Sequence, residues 1–135
     1  MTLIAGKAFD QKSPVAVYSD LFFMDVKLAA GKEFRFNPGD QELAFYILQG
    51  NLQVGDKTIA PDDFVVLQQG SSLHVTTTEN ARFIVLGGAP LPEQRHIYWN
   101  YVSSSLEKIE IAKQQWRDGS FPQVPGEPDI IPLPE

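Results

Sequence analysis

Between residues 15 and 88 the chain never runs far without a turn signal, and this constant interruption constrains the fold more than any other feature. The text is a series of short β-type runs: "VAVYS", "LFFMDVKLA", "EFRF", "LAFYILQ", "LQV", "KTIA", "FVVLQ", "LHVTT" and "ARFIVLGG". Many strands at such close spacing, with no helical period between them, predict an all-β antiparallel sandwich or barrel. Gly55-Asp56, between "NLQV" and "KTIA", is able to take the positive φ of a tight hairpin turn. Asn37-Pro38-Gly39-Asp40, Ala60-Pro61-Asp62-Asp63 and Gln69-Gly70-Ser71 supply further corners.

A barrel of this kind needs a core, and 43% hydrophobic residues in 135 can close one without disulfides. The chain has no cysteine, which removes thiol catalysis and Cys-type zinc sites and fits a reducing cytoplasm. The start, "MTLIAGKAFDQKSPV", has no basic region followed by a long apolar core, and no run of about 18 apolar residues occurs anywhere. A soluble cytoplasmic protein with no membrane partner is expected. Eleven Lys and Arg against 17 Asp and Glu give a net charge of −6, and the basic residues are scattered singly. Nucleic-acid affinity leans on neutralising phosphates, so an acidic chain without a basic stripe argues against DNA or RNA as partner.

The chain changes character after Gly87-Gly88. "APLPEQ" leaves the β region and "RHIYWNYV" reads as an aromatic extended segment. Ser104 and Glu107 have capping-box spacing, and the helix they start is expected from about Ser105 to Asp118, with Gly119 ending it. Leu106, Ile109, Ala112 and Trp116 form an apolar stripe on that helix, which something must cover. The last segment, "SFPQVPGEPDIIPLPE", carries Pro122, Pro125, Pro128, Pro132 and Pro134 and cannot be a helix or inner strand. Ile130, Ile131 and Leu133 make it apolar enough to predict an extended surface strap. The organisation expected is a barrel over 1–88 and an extension over 89–135.

The stretch "GDQELAFYILQGNLQVGDKTIAPDDFVVLQQGSSLHV" resembles the cupin family, whose double-stranded β-helix, a jelly-roll barrel, often reads G-x5-H-x-H-x3,4-E-x6-G and then G-x5-P-x-G-x2-H-x3-N. In that family the histidines and the glutamate hold a divalent metal inside the barrel. Here Gly50 fits the glycine that closes the first motif, which puts the glutamate at Leu43. The paired histidines fall at Phe36 and Pro38, or at Asn37 and Gly39. Gly70 fits the second motif with Gln68 in place of its proline, and the last histidine falls on Leu73. His74 is one residue late, a slip that turns a strand side chain to the opposite face. No metal ligand, catalytic residue or cofactor is therefore assigned, and His74 is expected to be a surface or rim histidine.

Other catalytic patterns are weaker still. No G-x-S-x-G elbow accompanies Ser71, Ser72 or Ser103 to Ser105. The carboxylate groups Asp62-Asp63 with Asp56, and Glu127 with Asp129, read as solvated turns or strap. The second histidine, His96, has no ligand spacing either.

Residues 87 to 134, "GGAPLPEQRHIYWNYVSSSLEKIEIAKQQWRDGSFPQVPGEPDIIPLP", resemble the C-terminal end of the pirin family, and "SPVAVYSDLFFMDVKLAAGKEF" is similar to the entry to that family's second barrel. Pirins are two-cupin proteins whose N-terminal barrel carries the metal-binding His and Glu. The resemblance, to the C-terminal half alone, implies a barrel generally without them. It also implies, for the family, quercetin 2,3-dioxygenation and, in eukaryotic members, a nuclear transcription-cofactor role, both associated with the other barrel.

Three functions follow as expectations. The first is a metal-free binding or partner domain whose interior, with Phe34, Phe36, Phe45, Ile47, Phe64, Val66 and Leu73 as candidates, is packed solid or holds a small apolar ligand. The second is a metal-dependent, quercetin-dioxygenase-like enzyme using His74 with Glu42. The third is an accessory subunit for a separate metal-bearing pirin barrel. Tyr98, Trp99, Tyr101 and Trp116 are the kind of large amphipathic groups enriched in interface cores, and a two-fold homodimer imitating a two-barrel protein is expected. The alternative is that this segment covers an open face of its own barrel.

Overall fold

The computed structural model describes every residue except Pro128, Ile130 and Glu135, so the parts that Pro128 and Ile130 were expected to play in the strap lie outside the described residues. In chain order the strands are β1 (Thr2–Ala8), β2 (Gln11–Lys12), β3 (Leu21–Leu28), β4 (Glu33–Phe36), β5 (Glu42–Gln49), β6 (Leu52–Val54), β7 (Lys57–Ile59), β8 (Phe64–Val66), β9 (Leu73–Thr76), β10 (Ala81–Gly88), β11 (His96–Tyr98) and β12 (Tyr101–Ser103). One helix, α1 (Leu106–Arg117), follows. The chain divides into two compact units, Met1–Pro90 and Leu91–Glu135.

The first unit is built from two antiparallel sheets. One has the order β2-β1-β3-β10-β5-β8 and the other β4-β9-β6-β7. The non-sequential neighbours, β3 beside β10 and β4 beside β9, are the crossovers of a jelly-roll, which buries one face of each sheet against the other. Period-2 alternation decides what goes inside. Phe22, Met24 and Val26 of β3, Phe45 and Ile47 of β5, and Phe83 and Val85 of β10 point into one cluster with Phe36 of β4, Leu52 of β6, and Leu73 and Val75 of β9.

Two expectations at the start of the chain change. "VAVYS" is not a strand: residues 14 to 20 form a loop in which Val15 and Tyr18 are exposed. The edge partner of β3 is instead "TLIAGKA", paired from Thr2 opposite Asp25 to Gly6 opposite Phe22, with Leu3 packed against the core. Ser13 fastens the loop by donating its hydroxyl hydrogen bond to the Ile4 carbonyl at 2.6 Å. The β6–β7 hairpin forms where Gly55-Asp56 predicts it, with Gly55 at φ 58 in the first central position, where only a residue without Cβ is at ease.

In the second unit "RHIYWNYV" is a hairpin and not a single extended segment: β11 turns at Trp99-Asn100 and pairs back as β12, Tyr98 opposite Tyr101. The helix begins one residue later than the Ser104–Glu107 spacing predicts, because Ser105 is the cap and its hydroxyl accepts the Lys108 amide at 3.3 Å. It ends as expected, with Asp118 at the cap and Gly119 at φ 65. Of the predicted stripe Ile109 is buried, Ala112 and Trp116 are half-buried and Leu106 is exposed. Among the described residues no helix is long and apolar enough to cross a membrane.

Candidate functional site: a filled barrel and an aromatic clasp

Three of the positions onto which the cupin motifs fall in the sequence carry packed hydrocarbon. Leu43 on β5 and Leu73 on β9 are 2% and 1% exposed, and Phe36 at the end of β4 is buried beside them in the core cluster. The Phe36 ring meets Phe22 edge-on at 4.9 Å and Phe9 at 5.1 Å, while Phe34 meets Phe83 at 5.6 Å. Phe9 takes part from an unusual backbone: it and Asp10 form the two-residue β1–β2 turn at φ 50 and 57, a left-handed conformation that bulky residues adopt only when packing holds them. Asn37, at the other possible histidine position, spends its side-chain oxygen on the Gly39 amide at 2.9 Å, inside the turn that leaves β4. None of these residues has a donor atom directed at a common point, so the set does not fit a cupin metal ion.

Alternation also corrects two candidate lining residues. Phe64 and Val66, expected inside the barrel, are 57% and 69% exposed, and it is Val65 and Leu67 that pack against the core. The phase of this strand is set by its pairing, Val65 opposite Phe45, which puts the odd residues inward. Phe36, Phe45, Ile47 and Leu73 are buried within one continuous cluster.

His74 points outward on β9, directly opposite Arg35 on β4. Its Nε2 lies 2.9 Å from a Glu33 carboxylate oxygen, and Arg35 binds the same carboxylate through Nε and a terminal nitrogen, both at 3.1 Å. The Arg35 guanidinium first, then the His74 ring, hold the Glu33 carboxyl down at about 2. The partner expected for His74, Glu42, lies on β5 in the other sheet, so the two are not brought together by pairing. A second surface pair, Arg82 on β10 and Asp25 on β3, meets at 2.8 Å and lowers the Asp25 pKa through that hydrogen bond. Among the described residues no three His, Asp or Glu side chains converge as metal ligands would.

The remaining carboxylates serve their own turns. Asp62 accepts the Tyr46 hydroxyl at 2.9 Å, Asp63 accepts the Ala60 amide at 3.0 Å, and Glu127 accepts the Asp129 amide at 3.2 Å. His96 pairs across the β11–β12 hairpin with Ser103.

In the second unit the aromatic residues pack on one another. Trp99 meets Trp116 at 5.2 Å and Tyr101 at 5.9 Å, both edge-to-face, and Tyr101 stacks on Phe121 at 6.2 Å. Trp99 sits in the hairpin turn at φ 53, and its ring packing offsets that strain. The Tyr98 hydroxyl donates to the Pro134 carbonyl at 2.6 Å, the Trp116 indole N–H donates to the Ile131 carbonyl at 2.7 Å, and the Lys113 ammonium lies 4.4 Å from the centre of the Tyr98 ring. Hairpin, helix and strap are thus clasped by the four residues singled out in sequence, plus Phe121, which was not. Beside the clasp lies an open groove of about 220 Å³, lined among others by Trp116, Arg117, Phe121, Val124 and Glu127.

Residues 23–122 match the family model described as the pirin C-terminal cupin domain. The chain belongs to the pirin family. A pirin-like protein of Caulobacter vibrioides is 36% identical to this chain over 98% of the chain's length and 46% of the relative's. Two crystal structures of quercetin 2,3-dioxygenase from Acinetobacter baumannii are also similar. One has a TM-score of 0.79 at 26% identity, covering 88% of this chain and 42% of that one. The other has a TM-score of 0.85 at 22% identity, covering 98% and 46%, and supports the fold alone. The chain spans less than half the length of each of these relatives.

Proposed function

We propose that the chain acts as a binding and partner domain and not through a cupin metal centre, with no resident cofactor. The observation that carries the reading is the filling of the ligand positions: Leu43, Leu73 and Phe36 are buried in one apolar cluster, where a divalent ion would have neither donors nor the hydration it gave up. A small apolar ligand inside the barrel would have to part side chains that are already in contact, so the partner is taken to be protein. A second copy is the simplest one, and a cytoplasmic setting agrees with the absence of cysteine. The clasp rings Trp99, Tyr101 and Trp116 are engaged with one another and with Phe121, so they hold their own unit together before any contact with a second copy.

The test is elemental analysis of protein purified from cells supplied with iron, manganese and nickel, together with an assay of quercetin consumption. Less than a tenth of an equivalent of any of the three, and no turnover, is the expected result. One metal ion per chain, or turnover by this chain alone, would overturn the reading in favour of the quercetin 2,3-dioxygenase activity for which the Acinetobacter relatives are named.

A second reading rests on the length of the relatives. Because the chain matches less than half of each, a separately encoded metal-bearing barrel is an alternative partner, with this chain as its accessory subunit. Affinity purification from native cells decides it, since the accessory reading requires such a barrel in stoichiometric amount.

A further inference from the structure

We infer that two copies of this chain join edge to edge through β8, in antiparallel register centred on Val65, so that the β8 strands turn two six-stranded sheets into one. The inference rests on the homodimer reading above and adds the surface and the register. β8 ends its sheet, with β5 as its hydrogen-bonded neighbour and no strand beyond it among the described residues. Its direction of bonding is fixed by the flanking bonds: the Ile47 amide donates to Asp63 and the Leu67 amide donates to Leu43. In an antiparallel ladder such bonds recur at every second residue, so Asp63, Val65 and Leu67 face β5, and the backbone N–H and C=O of Phe64 and Val66 face the free edge.

Native sheets guard a free edge with lysine, proline or a bulge, because an open edge is a template for another strand. Here the edge residues are Phe64, Val65 and Val66, and the two whose backbone is open also carry exposed apolar side chains. A two-fold axis at Val65 sets Phe64 of each copy opposite Val66 of the other. Four backbone hydrogen bonds then form, and an aromatic side chain is paired with a β-branched one on the outward face, twice. The same register sets Asp63 opposite Leu67, and the ladder stops there, because Asp62 turns back at φ 70 with its amide on the Ile47 carbonyl; no like charges are opposed within the paired stretch. Outward-facing Tyr46, directly beside Phe64 on β5, extends the apolar strip away from the edge.

Sedimentation equilibrium on the full chain tests this with three variants. Val66→Pro removes a donor from the free edge while sparing the bonds to β5, Phe64→Lys places a charge in each cross-pair, and Ile97→Lys alters the exposed Ile97–Val102 pair of the other unit. The expected result is a dimer for the parent and Ile97→Lys, and dissociation at least tenfold weakened for Val66→Pro and Phe64→Lys, with unchanged far-UV circular dichroism and melting. The chain has no cysteine, so Val65→Cys adds a direct check. Mild oxidation should link the two copies through residues whose Cα atoms lie within disulfide reach, whereas Phe64→Cys should not link. A parent dimer indifferent to both edge variants, or unlinked through Val65→Cys, overturns the edge and leaves the homodimer reading standing. A parent that stays monomeric overturns both. A heterologous barrel displaced by Phe64→Lys would overturn the second copy as occupant.

Discussion

The Glu33 carboxylate is shared by His74 and Arg35, at 2.9 Å and 3.1 Å, on the outer face of the smaller sheet. Both neighbours favour its charged form, and Arg35 acts more strongly. The folded-state pKa of about 2 lies below the ordinary 4.5, so what this pairing adds to stability is present above that ordinary value and is lost as pH falls from about 4.5 towards 2. NMR titration of the Glu33 carboxyl should show it still ionised at pH 3, and a Glu33→Gln variant should lose less stability than the parent over that window. A midpoint near 4.5 would mean the cluster is open in solution.

Restoring the cupin glutamate should break the barrel and not create a site. Leu43→Glu puts a carboxylate without a partner among Phe, Leu and Val side chains, which costs about 3–5 kcal/mol by comparison with broken buried pairs. Urea denaturation measures it, and added iron or manganese should return none of the loss. Leu43→Met, of similar volume, should cost under about 1.5 kcal/mol.

Gly87 should tolerate no side chain. Its backbone is not left-handed, yet a Cβ there would lie 2.0 Å from the Glu42 carbonyl oxygen and 2.5 Å from the Phe22 ring. Gly87→Ala must therefore push β10 from β5, at a cost of about 1–3 kcal/mol, read from the thermal midpoint.

The Tyr101 hydroxyl is buried with no hydrogen-bond partner among the described residues. Leaving such a group unsatisfied costs about 1–3 kcal/mol, so Tyr101→Phe, which keeps the stack on Phe121, should leave stability unchanged or raise it. A loss of more than about 1 kcal/mol in the same denaturation experiment would reveal a partner.

What the sequence made legible follows from which physical rule was local. The β-rich region, the Gly55 hairpin and the helix end were readable because turn and cap chemistry depends on adjacent residues. The inward set Phe36, Phe45, Ile47 and Leu73 followed from alternation, and so did the outward turn of His74. Phase failed at Phe64 and Val66, since alternation alone does not say which member of "FVVL" faces inward; the pairing of Val65 with Phe45 does. The first strand hid in "TLIAGKA", whose Gly6 and short side chains weaken the β signal and whose edge pairing to β3 supplies what composition lacks. Phe9 and Trp99 gave no warning, because nothing in their own neighbourhood favours φ above zero; only distant rings hold them there. The clasp residues were visible as aromatic surplus, while their actual neighbours, Phe121 and the carbonyls of Ile131 and Pro134, lie too far along the chain for any spacing rule to connect.

Both tryptophans of this chain, Trp99 and Trp116, lie in the second unit, and the first has none. Nature has in effect placed an optical label on one half alone. Light that excites only indole will report the loosening of hairpin, helix and strap, whereas the β-sheet band of the amide infrared spectrum is dominated by the strands of the other half. Superimposable curves from the two signals would mean the halves melt as one cooperative body; curves that separate would give each its own midpoint from a single unlabelled sample.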